Sequence, residues 1–590
     1  MTDETTLKAM REAWDDAHDF DPRDPLVGLS REALSGPRLS RRATLRLMAA
    51  AGTLTAAHLA PGPVGRAIAQ GAQGGTLRCG WAGVSEIVTL DPAQMGQVLQ
   101  FQITSNVLSG LTHINAALIA EADIAEGWEV SEDGTTYTFK LREGLSFHNG
   151  DPFDADDVLF TYERSSDPTK SIHAGTLANV ASLEKLNQYE VRFTLKQPQA
   201  SFLTKTLERA SGRAMTIVSR GALEEMGADG YGLTPVGTGP FRVVEHKLGQ
   251  GVVLERFDDF YDPERPKLDR VEIRPIDGAE PLAAAIEAGD IQFIGGNPIA
   301  AQLIDRFKNN PDLVVDIADA PGFQSVWLNP HREPMKVESF DKPLAELKKE
   351  PGFMVRLAIA KALDRDLYAQ QARFGYANPA YGSVNPAMRY YYDEGIAETS
   401  EQAHDPEGAK QLLADAGYPG GEGFPELMLT VRPSEKRDGL VIANILKQTL
   451  GIPVTVQTQE FSVMIENFLA MDFDMRLGGS GGDYDPDDAI VDWMMTSSKF
   501  NGRTRDKEEF PFGYFSDPEA DRLIEEQSVT PKREARRELV REANKITSDK
   551  VASAFLYHPV DVLVHHKSVS FPVQSRIPGL TDLDRVTLSS

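Results

Sequence analysis

The sequence predicts a mixed α/β (α+β) chain of several domains, and three observations carry that prediction. At 590 residues the chain is too long for a single hydrophobic core, and about three or four domain-sized units are expected. Short runs with strand character recur from Leu77 onward, interleaved with helices whose capping residues can be read directly. No strand-helix-strand rhythm is sustained from end to end, no internal repeat occurs, and the longest low-complexity joint is the Gly-rich stretch 71–75.

The elements follow in chain order. Residues 1–39 are polar and charged, and Leu39-Ser40-Arg41-Arg42-Ala43-Thr44-Leu45 then presents paired arginines ahead of a mildly apolar run over residues 47–60. Ala67-Ile68-Ala69 supplies small residues where a signal peptidase reads. Residues 1–69 therefore read as a twin-arginine export signal with a long polar leader, with Arg41 and Arg42 as its signature and cleavage after Ala69. The apolar run holds His58, meets Pro61 and falls short of the roughly 20 residues that span a bilayer. An amphipathic helix on a cytosolic protein is the competing reading. The expected product is exported, periplasmic and soluble after cleavage, with the twin-arginine translocase as its partner during export. Passengers of that route often hold redox cofactors, but no cofactor motif occurs here, so no cofactor is expected.

The first core strand is expected at Thr76-Leu77-Arg78-Cys79-Gly80. Cys79 is the only cysteine, which excludes an intramolecular disulfide, a CxxC pair, a thiolate zinc site and c-type haem attachment. A lipoprotein cysteine is the alternative, but the apolar segment it needs lies too far upstream. The stretch 126–164 is the most informative part of the chain. Asp133-Gly134 marks a hairpin turn, and Tyr137, Phe139 and Leu141 alternate with Thr136, Thr138, Lys140 and Arg142 as in a half-buried strand. After a second turn at Asn149-Gly150, Asp154 stands at an N-cap, Asp156 and Asp157 fill the first helical turn, and Val158, Leu159 and Tyr162 form an apolar face. Strands are expected over 191–195, 251–256 and 271–276. A helix is expected from Asp405-Pro406 to Gly417, and another starting at Thr530-Pro531.

The stretch 126–164 resembles the signature region of the family 5 extracytoplasmic solute-binding proteins, the peptide-, nickel- and opine-type receptors of ABC importers. Further motifs are similar in the same order: Thr234-Pro235-Val236-Gly237-Thr238-Gly239-Pro240-Phe241, then Phe257-Asp258-Asp259-Phe260-Tyr261, then a helix from Arg356 that ends in Ala362-Leu363-Asp364-Arg365. The resemblance implies a two-lobed periplasmic binding protein of the large type with a hinged interlobe cleft. Lobe 1 would be built from 76–108, 235–320 and 561–590, an inserted domain over 109–234 would pack with it, and lobe 2 would span 321–560. The implied job is capture of a small solute, a peptide or peptide-like zwitterion, and its delivery to ABC permease subunits, with ATP bound by separate chains. The protein is then no enzyme, and it is expected to be a monomer.

The glycine-rich segment Phe473-Asp474-Met475-Arg476-Leu477-Gly478-Gly479-Ser480-Gly481-Gly482-Asp483-Tyr484-Asp485-Pro486-Asp487-Asp488 has three competing readings. A phosphate loop lacks its lysine. A calcium loop fits Asp483, Asp485 and Asp487, but Pro486, Asp488 and Met494 depart from the pattern. In the third, implied by the resemblance, Asp483 receives the α-ammonium of a bound peptide, with Gly481, Gly482 and Tyr484 beside it; capping of the following helix by Asp483 is the structural alternative. Peptide binders commonly place a tryptophan three residues before this aspartate, whereas this chain has Ser480. Arg432, near Lys436 and Arg437, is the expected partner of a ligand carboxylate, because guanidinium clamps carboxylate with two bonds. Ser85 and Glu86 fall where the first lobe's loop would meet ligand.

Other chemistries find little support. Net charge is −27 and residues 1–69 carry nine acidic and nine basic side chains, so the acidity lies in the body of the chain and nucleic acid is not an expected partner. His565 and His566 are adjacent on a strand and point apart, and His148 and His173 lack spaced partners, so no metal site is expected. No GxSxG elbow occurs. Two alternatives stand beside the importer reading: a periplasmic hydrolase with Asp483 and Asp485 as acid and base, and a sensory binder without a permease.

Overall fold

Leu77, Cys79 and Trp81 alternate into a buried face along β1 (Thr76–Ala82) of a computed structural model, which describes residues 74–589 except 83–86, 210–213, 297–298, 483, 499, 502–511, 573–579 and 581. The export segment with Arg41 and Arg42 lies outside the described residues, as do Ser85, Glu86 and Asp483. Burial pushes the Cys79 thiol far up, which keeps it protonated and inert.

Next, β2 (Thr112–Ile114) and β3 (Ala120–Ala122) pair antiparallel. The hairpin read from Asp133-Gly134 follows as β4 (Ala125–Val130) and β5 (Thr136–Leu141), and β6 (Val180–Asn187) and β7 (Glu190–Leu195) complete a sheet in the order β4-β5-β7-β6. Tyr137, Phe139 and Leu141 are buried as the alternation requires, and Phe139 meets Phe193 edge-on at 5.9 Å. Asp154 caps the helix Ala155–Ser166: its carboxylate accepts the Asp156 N–H at 2.8 Å, and Asp154 N–H donates to Asp157 at 3.1 Å.

Two larger sheets frame the molecule. The first takes β1 together with β8 (Phe241–Lys247), β9 (Gly251–Arg256), β10 (Arg270–Ile276), β11 (Phe293–Gly296) and β12 (Leu313–Asp319). The second is built from β13 (Gly322–Leu328), β14 (Asn378–Pro379), β15 (Leu427–Val431), β16 (Val454–Thr458), β17 (Met475–Gly481) and β18 (Ala554–His558), in the order β14-β18-β13-β17-β15-β16. β19 (Val560–His566) then returns to the first sheet, whose order is β12-β19-β11-β1-β10-β9-β8. The chain thus passes between the sheets through residues 320–321 and again at Pro559. These crossings run side by side: Asp319 pairs with Val560, and Ala320 N–H donates to the Pro559 carbonyl at 3.1 Å. Two adjacent extended segments can bend together, which is what a hinge requires. Ile114 and Leu118, from the β2–β3 region, pack into the core of the second sheet.

Local signals located most elements, with two corrections. The expected Thr530-Pro531 start is displaced, because the last helix is Arg533–Asp549 and the Thr530 hydroxyl instead bonds the Glu526 carbonyl at 2.6 Å, finishing the preceding helix Pro518–Ser528. That preceding helix carries the Asp-Pro start, with Asp517 accepting the Ala520 N–H at 2.7 Å. Arg365 likewise begins a helix rather than closing one: Pro351–Ala362 ends first, and Asp364 caps Arg365–Arg373. No helix among the described residues is long and apolar enough to cross a membrane.

Candidate functional site

β17 brings the glycine-rich segment to the middle of the second sheet, between β13 and β15. Its backbone approaches β13 so closely that a Cβ at Gly479 would lie 1.9 Å from the Phe323 carbonyl oxygen, which excludes any side chain there. Gly478 has a different reason: a Cβ would meet the Arg476 guanidinium at 2.8 Å. Beyond the strand, Gly482 takes φ 78° and donates its N–H to the Pro321 carbonyl at 3.0 Å, tying the turn to the interlobe crossing. Gly481 is exposed, and Tyr484 is buried with its N–H on Asp488 at 3.2 Å.

The carboxylates that follow are occupied. Asp485 caps the short helix Pro486–Ala489 through the Asp487 N–H at 3.0 Å. Both Asp485 oxygens also accept from the buried Arg536, at 2.5 and 3.0 Å. Arg536 reaches Asp487 at 3.2 Å, and Asp487 further accepts from Ser201 at 2.6 Å and Gln527 at 2.6 Å. Burial acts to raise the Asp487 carboxyl, but Arg536 and Lys205 outweigh it and hold it below the usual range. Asp488 pairs with Lys205 at 2.9 Å, and there burial wins and raises the carboxyl. Lys205 also reaches Asp492 at 3.3 Å, and Thr204 donates to Asp485 at 2.8 Å.

Two sequence readings are overturned by this network. A calcium loop would need the oxygens that Arg536 already holds. An acid–base pair would need Asp485 free to exchange a proton, and it is locked in a two-bond ion pair between buried partners. The residues 200–206 that reach across from the four-stranded-sheet region went unnoticed in the sequence. So did Arg536, although it lies four and seven residues before the buried Val540 and Ala543, on the apolar stripe of its helix.

Arg432 follows β15 directly. Its guanidinium bonds Glu435, and its side chain is 42% exposed. That hydrogen bond outweighs burial, which acts to lower the Arg432 pKa, and raises it above the ordinary arginine value. Arg476 was read only as part of its segment. It sits opposite Trp327 across β13 and beside Thr430 of β15, with its guanidinium 4.4 Å over the Phe468 ring. Strand alternation offered one signal: a charged residue within an apolar strand, followed two positions later by a glycine that clears space for it.

Comparison with known proteins adds to this geometry. A model described as bacterial extracellular solute-binding proteins, family 5 Middle, matches residues 120–502. The glutathione-binding protein GsiB of Escherichia coli (strain K12) is 30% identical over 339 residues, which cover 57% of this chain and 61% of that protein. The chain therefore spans about three fifths of the length of the curated relatives it matches. Among solved structures, the periplasmic binding protein DppA from Helicobacter pylori in complex with peptide STSA superposes with a TM-score of 0.68 at 23% identity, covering 88% of this chain and 99% of that one. The oligopeptide-binding protein AppA from Bacillus subtilis in complex with a nonapeptide gives 0.68 at 24% identity, covering 88% and 100%. These structures share the two-lobed fold.

Proposed function

The chain belongs to the bacterial extracellular solute-binding proteins of family 5, and we propose that it is the substrate-binding component of an ABC importer, capturing a peptide or peptide-like zwitterion between two lobes for a membrane permease. The observation that carries this reading is the connection between the two large sheets. They are joined by two extended segments lying side by side at 320–321 and 559, and residues 200–206 reach the 485–492 corner of the second sheet across the divide. A ligand that touches both lobes selects the closed state by its differential affinity, and the permease reads that state. The similarity to a glutathione-binding protein supports a short peptide as ligand. In this reading Asp483 takes the ligand ammonium, with Gly481, Gly482 and Tyr484 shaping the corner, and Arg432 stands near a carboxylate. Ser85 and Glu86 approach from the first lobe.

Export by the twin-arginine route, cleavage after Ala69 and a periplasmic monomer belong to the same proposal. Replacing Arg41-Arg42 by Lys-Lys is expected to strand precursor in the cytoplasm, and normal export of that variant would refute the route. The ligand reading is tested by native mass spectrometry of protein purified gently from the export compartment, followed by denaturation to identify what was carried. A stoichiometric peptide supports it. Empty protein that no peptide stabilises against heat would overturn it.

A further inference from the structure

The segment after β7 faces two ways. Phe202–Thr206 forms a single helical turn. Phe202 and Thr206, four positions apart, are buried, and the Phe202 ring lies 4.8 Å from Tyr137 and 5.5 Å from Phe193 in the core of the four-stranded sheet. Ser201, Thr204 and Lys205, spaced three and four positions apart, share another face. That face meets the second lobe: Ser201 donates to Asp487, Thr204 to Asp485, and Lys205 pairs with Asp488 and Asp492. Just before the turn, Ala200 N–H donates to the Ser528 carbonyl at 2.7 Å. Burial acts to lower the Lys205 pKa, but Asp488, Asp492 and Asp487 outweigh it and keep the ammonium charged.

An apolar contact accompanies this polar one. Between β2 and β3, the Asn115 side chain accepts the N–H groups of Ala117 and Ile119 at 2.9 and 3.2 Å. The loop so shaped carries Ile114 and Leu118 into the core of the second sheet, where they are 0% and 8% exposed. Leu118 takes φ 58°, a left-handed conformation that leucine rarely adopts, and its burial offsets that strain. Opening the lobes about the crossings at 320–321 and 559 would bring Ile114 and Leu118 to water, take the Ser201 hydroxyl from Asp487 and part the Lys205 ammonium from Asp488. Every partner in both contacts belongs to the chain itself.

Resting on the two-lobed receptor reading, we propose that the protein carries its own interlobe catch, a polar face at Ser201, Thr204 and Lys205 and an apolar plug at Ile114 and Leu118, which favours the closed form without ligand. Ligand then adds to a closure that the chain already favours, and a catch that raises the closed population raises the apparent affinity with it.

The test is X-ray scattering of the full chain, shown by denaturing mass spectrometry to carry no small molecule. Two variants are compared with wild type: the triple Ser201→Ala, Thr204→Ala, Lys205→Met, which removes the polar face, and Leu118→Gly, which suits φ 58° while removing part of the plug. Both are expected to have a larger radius of gyration than wild type. A folded variant that keeps the wild-type radius overturns the catch. Near-UV circular dichroism identifies a variant that has lost its fold, and the other then decides. Should both lose it, added salt decides on wild type alone: weakening of the Lys205 pairs should enlarge the radius, and an unchanged radius overturns the catch. Heat stabilisation of wild type by glutathione or triglycine reports separately on the receptor reading. Where stabilisation is seen and the radii do not move, the receptor reading stands and the catch falls; where neither peptide stabilises, the receptor reading falls and the catch with it.

Discussion

Arg476 and Arg536 are both buried cations in the second lobe, yet among the described residues one holds two carboxylates and the other holds none. Around Arg536 the chain has assembled Asp485, Asp487, Ser201, Thr204 and Gln527, so charge and hydrogen bonds close on themselves. Around Arg476 it has assembled an aromatic face and a glycine. The first arrangement answers a buried charge with carboxylates; the second sets it against an aromatic face alone. An acidic cluster in a sequence is therefore a poor pointer to a binding site, because buried carboxylates persist where the protein itself supplies the counter-charge.

The largest effect should come from breaking the closed network. Arg536→Met leaves Asp485 and Asp487 buried without their cation and is expected to cost about 3–5 kcal/mol in urea denaturation; a loss below about 1 kcal/mol would mean that the two carboxylates find water instead. Next in size is His558, a buried ring whose Nδ1–H donates to the Gly322 carbonyl at 2.9 Å and whose Nε2 has no partner among the described residues. Burial lowers its pKa from 6.5 to about 4. The unfolded chain therefore takes up a proton below about 6.5 and the folded protein only below about 4, so this contribution is complete above the higher value and lost as pH falls through that window. At pH 5 the loss is on the order of 2 kcal/mol. His558→Gln should shrink the stability difference between pH 7 and pH 5 by that amount, and an unchanged difference would place the acid sensitivity elsewhere.

A smaller effect is expected for Lys205→Met, about 1–2 kcal/mol, because its partners Asp488 and Asp492 retain some access to water. The sharper readout is shape. Lys205 bridges the two halves of the molecule, so its loss should shift ligand-free protein toward an open form with a larger radius of gyration in X-ray scattering. An unchanged radius would show that this pair does not hold the lobes. Least of all should change in Arg522→Ala, whose pairs with Glu519 and Glu526 lie in solvent. Its denaturation curve should superpose on wild type, and a measurable shift would blur the line between buried and exposed charge.

Legibility followed sequence distance. The hairpin at Gly134, the Asp154 cap and the Asp405 cap involve residues within a few positions of one another, and each forms as read. The Thr530-Pro531 start misled because the same Thr and Pro also suit the end of the preceding helix, and packing chose that use. Of the candidate site, the resemblance pointed to the glycine-rich corner and the strand end at Arg432, while the partner of Asp485 and the burial of Arg476 stayed hidden. Asp485 meets Arg536 51 residues later, and Asp487 meets Ser201 286 residues earlier.

By itself, then, the sequence determined the alternation that makes strands, the caps that start helices and, through one cysteine, the absence of any intramolecular disulfide. These are properties of neighbours along the chain or of composition. Which acidic residues are neutralised and which arginine is left without an acceptor was decided by the tertiary structure alone, because the cost of burying a charge depends on what the fold brings within about 4 Å of it.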